Sequence, residues 1–321
     1  MKVFVTLGPD QRQAASDAAA AEAAGFDGVS TGEHLFFHGA TPNAFVSLAA
    51  AAGATSRIRL LSSLTILPLY SAALAAKLAI GLDQVSEGRF DFGIGVGGEF
   101  PGEFTAAGVP ARERGPRTNE ALDVLTRLFT GETTEFHGTY THVPGLRIMP
   151  PPIQAGGPPL WVGGRRPAAL RRAGRFADVW FPYMYTPEQL ADSLTVVRQH
   201  AERHGRDPTT ITGAIHCWGG VDDDPARPLA RGGRRCRRRN LSAGLQPPRR
   251  PVSPARDAGA CTRPNSGVPR RRGGCAGLLS CRVGGAAHSH RRVLRAGGTR
   301  RDPEPTLIVY KYSAHHNCLV V

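Results

Sequence analysis

Seven alternations of an apolar strand with a helix, spread over the first 225 residues, predict an α/β fold of the TIM (β/α)8 barrel type. Three observations carry this. The strand runs are near-continuously apolar, as strands buried on both faces are. The steps repeat with one geometry, which favours a closed barrel over an open doubly wound sheet, the alternative for such a pattern. The periodicity then stops near residue 225, one strand and its helices short of closure, so the barrel is expected to be incomplete.

The elements follow in order. Lys2–Leu7 is a β-type run. Residues 11–24 are Ala-rich with good helix propensity, and Gly25 supplies a C-cap. Residues 27–32 form a second strand and residues 42–54 a helix. Residues 58–67 are an apolar strand, followed by a helix over 72–85. Residues 89–96 form the fourth strand, and a Gly/Pro-rich loop comes next. Residues 118–130 place Ala121, Leu122, Leu125 and Leu128 at helical spacing. Short strands at 160–162 and 178–181 bracket a helix at 167–174. A helix over 187–204 leads to a seventh strand at 210–218.

The chain divides into two unlike parts. Residues 1–225 carry 19 Lys and Arg against 23 Asp and Glu; residues 226–321 carry 21 against 3. The overall +14 therefore describes neither. Of the six cysteines only Cys217 precedes the break, which fits a reducing, cytoplasmic setting. The apolar start is too short for a signal-peptide core, and no run is long enough to span a membrane. The arginine bias, 37 against three lysines, reads as a GC-rich coding sequence.

Four motifs bear on chemistry. Gly93-Ile94-Gly95-Val96-Gly97-Gly98 fits the dinucleotide fingerprint but leads into Glu99-Phe100-Pro101-Gly102 at the fourth strand. The phosphate logic needs a helix N-terminus there, so the Rossmann reading is rejected. These glycines instead let a ligand ring or another loop approach closely. Trp161-Val162-Gly163-Gly164-Arg165-Arg166-Pro167 is a better anion site: a strand ends, two glycines turn, and a helix begins beside two arginines. An ordinary βα turn with solvated arginines is the alternative. His34 ends the second strand, on the catalytic face of a barrel, where it can exchange a proton with a substrate or cofactor ring or simply cap the loop. His38 follows four residues on with no third ligand, so no metal is expected. Asp222-Asp223-Asp224 reads as a helix cap cluster, and Cys217 as a core residue.

Several blocks together look familiar. Phe26-Asp27-Gly28-Val29-Ser30 leads to Glu33-His34-Leu35, and Arg57-Ile58-Arg59-Leu60 to Ser63-Leu64-Thr65. Leu82-Asp83-Gln84-Val85-Ser86-Glu87-Gly88-Arg89-Phe90 precedes Phe92-Gly93-Ile94-Gly95. Phe136-His137-Gly138-Thr139-Tyr140, Pro158-Pro159-Leu160-Trp161-Val162-Gly163-Gly164 and Ala177-Asp178-Val179-Trp180 follow. Over residues 1–225 this order resembles the bacterial luciferase-like flavin-dependent oxidoreductases, and within them the actinobacterial branch that uses the deazaflavin coenzyme F420. The resemblance implies a TIM barrel with F420 or FMN at its C-terminal mouth and a small-molecule substrate. It implies a flavin reductase as partner if the chain is an FMN monooxygenase, and a homodimer when intact. No specific nucleic acid is expected. It puts the cofactor phosphate on Gly163, Gly164 and Arg165, His34 beside the ring, a non-prolyl cis peptide at Ser63–Leu64 behind it, and Gly95 and Gly97 near it. Glu99 lies one position from the acidic residue that some members use as proton donor.

After residue 225 such a family continues with a helix, an eighth strand and a final helix. This chain reads Arg234-Arg235-Cys236-Arg237-Arg238-Arg239 and then Pro/Arg/Gly-rich sequence. One reading is a disordered polycation for nucleic acid or other polyanions. The other is a shifted frame: back-translated and read one base later, Pro251–Gly273 permits Gly-Thr-Pro-Glu and, further on, Asp-Ala-Gly, as this family carries before its eighth strand. On that reading residues 226–305 are irregular and Thr306–Tyr312 is the only plausible strand. The first and seventh strands keep free edges. The chain as written is then impaired, aggregates or is degraded, and binds flavin poorly.

Overall fold

The computed structural model describes residues 2–219 and 306–311. Strands β1 (Lys2–Thr6), β2 (Gly28–Thr31), β3 (Arg59–Ser62), β4 (Thr65–Ile66) and β5 (Phe90–Gly95) come first. An antiparallel hairpin, β6 (Thr134–His137) and β7 (His142–Leu146), follows. Then come β8 (Leu160–Gly163), β9 (Val179–Phe181), β10 (Thr212–Gly219) and β11 (Thr306–Lys311). Between them lie helices α1 (Ala14–Ala23), α2 (Ala44–Gly53), α3 (Ala72–Val85), α4 (Pro101–Ala106), α5 (Arg114–Leu128), α6 (Pro167–Phe176) and α7 (Pro187–Arg203).

The local reasons are legible. Gly25 takes φ 83° after α1, the left-handed conformation that a side chain resists. Asn43 and Ser71 cap α2 and α3 by accepting the Val46 and Leu74 amides. Thr186 and Gln189 form a reciprocal capping box on α7. Three features depart from expectation. The loop after β5 contains α4. Helix α5 starts at Arg114 rather than residue 118, because Pro116 lies in the first turn, where a missing N–H costs nothing. The hairpin β6–β7 was not anticipated.

All barrel pairings are parallel. β1 pairs with β2, β2 with β3, β3 with β5, β5 with β8, β8 with β9, and β9 with β10. β11 pairs with both β10 and β1, from Ala214↔Thr306 to Gly219↔Lys311 and from Lys2↔Thr306 to Val5↔Val309. The eight strands therefore pair in a ring, while among the described residues the barrel stays incomplete, with no helix after β10 or β11. This corrects the expectation that the first and seventh strands keep free edges: Thr306–Lys311 is an apolar, partly β-branched segment and takes the eighth position. Residues 226–305, Asp222–Asp224, Tyr312 and the side chain of Cys217 lie outside the described residues.

Inside the barrel, Phe4, Leu61, Trp161, Phe181 and Ala214 form one cluster, with Trp161 5.6 Å from Phe4 and 5.7 Å from Phe181. On the barrel wall Arg59 donates twice to Asp91, both at 2.7 Å. Burial raises the Asp91 pKa, and the guanidinium works against it. The larger core lies outside the barrel, between β1–β5 and α1, α2, α3 and α5; α6 and α7 enclose a second around Trp180. Among the described residues no helix is long and apolar enough to cross a membrane.

Candidate active site

Parallel strands all end at one face, so the loops after β2, β3, β5, β8 and β9 share the mouth of the barrel. The loop after β2 places His34. Its Nδ1 lies 3.2 Å from Oε2 and 3.3 Å from Oε1 of Glu103, and the Leu35 amide donates to the same Oε2 at 3.2 Å. The Glu103 side chain is fully buried. The Phe37 ring stacks on the imidazole at 4.1 Å and 16°. The Thr41 hydroxyl donates to the His34 carbonyl at 3.3 Å.

The carboxylate beside His34 is thus Glu103. Glu99, the residue that sequence reasoning chose, is exposed. Pro101 starts α4, and that turn carries Glu103 and Phe104 inward while leaving Glu99 outside. The signal was present as Pro101 followed by Glu103-Phe104, an apolar-flanked acid in a first turn. Next to His34, Glu33 accepts the Tyr70 hydroxyl at 2.9 Å and the Ala44 amide at 3.2 Å. Burial raises the pKa of both Glu33 and Tyr70.

Ser63–Leu64 is a cis peptide, joining β3 to β4. The Leu64 side chain lies among Gly93, Gly95 and Gly163. A Cβ on Gly93 would come within 2.9 Å of Leu64 Cδ2 and strike the Ser62 carbonyl; one on Gly163 would strike Leu64 Cδ1. The Ser62 hydroxyl accepts the Gly93 amide at 2.9 Å and donates to the Gly93 carbonyl at 3.1 Å. Gly93, Gly95 and Gly163 therefore make room for a side chain of the chain itself. Gly97, at φ 66°, faces Ile66 and Phe104 in the same way.

The turn after β8 has the features of an anion site. Gly164 takes φ 107°, and its carbonyl accepts the indole N–H of fully buried Trp180 at 3.0 Å. Helix α6 then starts at Arg166 and Pro167 with no side-chain cap. Among the other helices of ten residues or more, α2, α3 and α7 are capped by side chains, and α1 and α5 continue from 3-10 turns. Arg165 is exposed, with its guanidinium 4.3 Å from the centre of the Tyr183 ring. A bare N-terminus beside two arginines attracts an anion.

Two further residues at the mouth were missed from sequence. Tyr183 bridges to His216, extending the β9–β10 pairing. His216 stacks on Phe181 at 5.9 Å and 5°, and burial lowers its pKa to about 3, so the ring is neutral. Its signal was alternation: Ala214 lies in the interior cluster, so residue 216 shares that face.

The sequence profile of a family described as luciferase-like monooxygenase matches residues 4–259. Uncharacterized proteins of Mycobacterium tuberculosis and Mycobacterium bovis are 35% identical over 162 residues, 50% of this chain and 55% of theirs. The chain thus matches about half the length of these curated relatives. Monooxygenase RslO1 from Streptomyces bottropensis is 27% identical with a TM-score of 0.62, over 70% of this chain and 73% of that one. An F420-dependent secondary alcohol dehydrogenase, solved with an F420–acetone adduct, shares the fold at 24% identity and a TM-score of 0.63, over 71% and 72%.

Proposed function

The chain belongs to the luciferase-like monooxygenase family, and we propose that its barrel is built for F420- or FMN-dependent hydride transfer to or from the carbonyl, alcohol or imine carbon of a small organic substrate. The observation that carries this is the sharing of one barrel mouth by a bare helix N-terminus flanked by Arg165 and Arg166 and by an anchored histidine, His34. Two features support such a cofactor: the Gly163-Gly164-Arg165 turn offers an uncapped N-terminus to a phosphate, and Ser63, Leu64, Gly95 and Gly97 stand at or just after the ends of β3 and β5, on the same side of the sheet. When bound, the cofactor supplies the hydride chemistry. The protein positions the substrate and handles the proton. His34 Nε2, which has no hydrogen-bond partner among the described residues, gives or takes the proton at the substrate oxygen or nitrogen. Glu99 is kept only as an exposed acid near that mouth. An FMN monooxygenase, supplied with reduced flavin by a partner reductase, is the second reading; the 27% identity to a monooxygenase favours it.

Titrating the chain with F420 and with FMN, followed by cofactor fluorescence, tests the site. Arg165→Glu should weaken binding by roughly tenfold or more, through reversal of a charge at the anion turn. Equal affinity of variant and parent would remove the turn from the site.

We also propose that residues 226–321 form a separate region read out of frame, and that the chain as written is impaired. The support is the change from 19 basic against 23 acidic residues to 21 against 3 at residue 225. The family match reaches past that point, to residue 259, and so counts against a break at 225. Closure of the ring by β11 removes the free-edge argument. The alternative is an inactive barrel remnant whose basic tail binds polyanions. Resequencing codons 220–275 decides the frame: an unchanged reading frame would end that part of the proposal, and where a shift is found, equal cofactor affinity before and after restoration would end the claim of impairment.

A further inference from the structure

We propose that Glu103 is the positioning residue for His34: it holds the ring as the Nδ1–H tautomer and turns Nε2, unprotonated, toward the mouth. The inference deepens the proposed function, since it rests on His34 acting at that mouth, but its geometry stands without a cofactor. Both Glu103 oxygens lie within 3.3 Å of Nδ1, and the side chain is fully buried. Oε2 already accepts the Leu35 N–H, so this oxygen is an acceptor where it meets the ring. A neutral imidazole carries one N–H, and the nitrogen facing an acceptor keeps it.

Other contacts leave the ring little freedom. Phe37 covers one face, and the Thr41 hydroxyl holds the backbone carbonyl. The His34 side chain retains 18% exposure, and Nδ1 and one face are already occupied. Helix α4 is anchored in turn by Phe104, buried against the loop after β5. The consequence for the chemistry is directional. Unprotonated Nε2 accepts a proton, so it suits the removal of one from a substrate hydroxyl; a bound oxidised cofactor would take the hydride from the adjacent carbon, and the proton would end on Nε2. The reverse reaction returns the same proton to a carbonyl oxygen.

The test is the tautomer itself, read by imidazole nitrogen-15 shifts and two-bond couplings at pH 9 on the full chain, with no cofactor present. The wild-type chain should show His34 protonated on Nδ1 over Nε2 by about tenfold or more, as expected for a hydrogen bond to a charged group. Glu103→Gln should keep that tautomer, because its amide oxygen can accept from both donors. Glu103→Met, of similar length with no oxygen, should lose it and give a mixture. Glu99→Gln should change nothing. A wild-type ring protonated on Nε2, or a Glu103→Met ring still held on Nδ1, would overturn the proposal. Failure of cofactor binding would show in the separate titration and leave this result standing.

Discussion

The depressed pKa of His216 makes a sharp prediction about how stability responds to acid. The ring lies on β10, stacked on Phe181, and burial lowers its pKa from 6.5 to about 3. The folded chain therefore keeps it neutral across ordinary buffers, whereas the unfolded chain protonates it below about pH 6.5. The sign follows from linkage: the unfolded state binds the extra proton, so this contribution is complete above pH 6.5 and is lost as pH falls toward 3. The unfolded state gains RT ln(1 + 10^(6.5 − pH)), which is about 0.1 kcal/mol at pH 7.5 and about 2 kcal/mol at pH 5. His216 is only half-buried, so about 2 kcal/mol is an upper value. Buried Glu33 and Asp91 act in the opposite sense, because their raised pKa values favour the folded state as pH falls toward the carboxyl range. A comparison of variants cancels them. His216→Phe keeps a ring on Phe181 and does not titrate. Urea unfolding of both proteins at pH 7.5 and pH 5 should show the variant gaining about 1–2 kcal/mol relative to the parent on acidification. The same stability difference at both pH values would refute the burial argument for His216.

Two other substitutions probe the packing beneath the mouth. Gly93→Ala should cost about 1–3 kcal/mol or more in urea unfolding, because its Cβ would meet the Ser62 backbone carbonyl as well as Leu64; a fully stable variant would show that β3 and β5 can separate. Trp180→Phe removes the indole donor to Gly164 and shrinks a fully buried ring, and it should cost about 2–3 kcal/mol and also weaken cofactor binding. Loss of stability with unchanged affinity would show that this hydrogen bond does not hold the turn.

How much of this was readable depended on how local the cause was. The barrel strands, α1 to α3 and the end of α1 at Gly25 follow from periodicity and from one residue's backbone freedom, so they appear in the sequence. The turn Gly163–Arg165 was visible because glycines, arginines and Pro167 are contiguous. Glu103 was not, because its partner His34 is 69 residues away and its inward direction depends on a six-residue helix inside a Gly/Pro-rich stretch. The glycines of β5 were visible as a requirement for close approach, but the group that approaches was not. It is Leu64, 29 residues before Gly93 in the chain, which meets it only in the folded barrel.

The closing strand offers the hardest test, because composition and structure point opposite ways there. Composition assigns residues 226–321 to a basic region with few apolar positions, which gives a barrel no reason to need it. The structure inserts Thr306–Lys311 between β1 and β10, in register with four residues of one and six of the other. Each strand would otherwise present a row of unpaired N–H and C=O groups. At about 1 kcal/mol net for each backbone hydrogen bond, a six-residue strand paired on both sides contributes several kcal/mol, a large part of the roughly 5–15 kcal/mol that holds a domain folded. A chain ending at residue 305 should therefore lose its cooperative thermal transition and aggregate, while the full chain gives one transition. Single substitutions in the strand give a finer reading: Ile308→Pro removes an amide from a strand with neighbours on both sides and should approach the effect of truncation. If the chain ending at 305 melts as the full chain does, the eighth strand is dispensable, and the region after residue 225 is the passenger that its composition suggests.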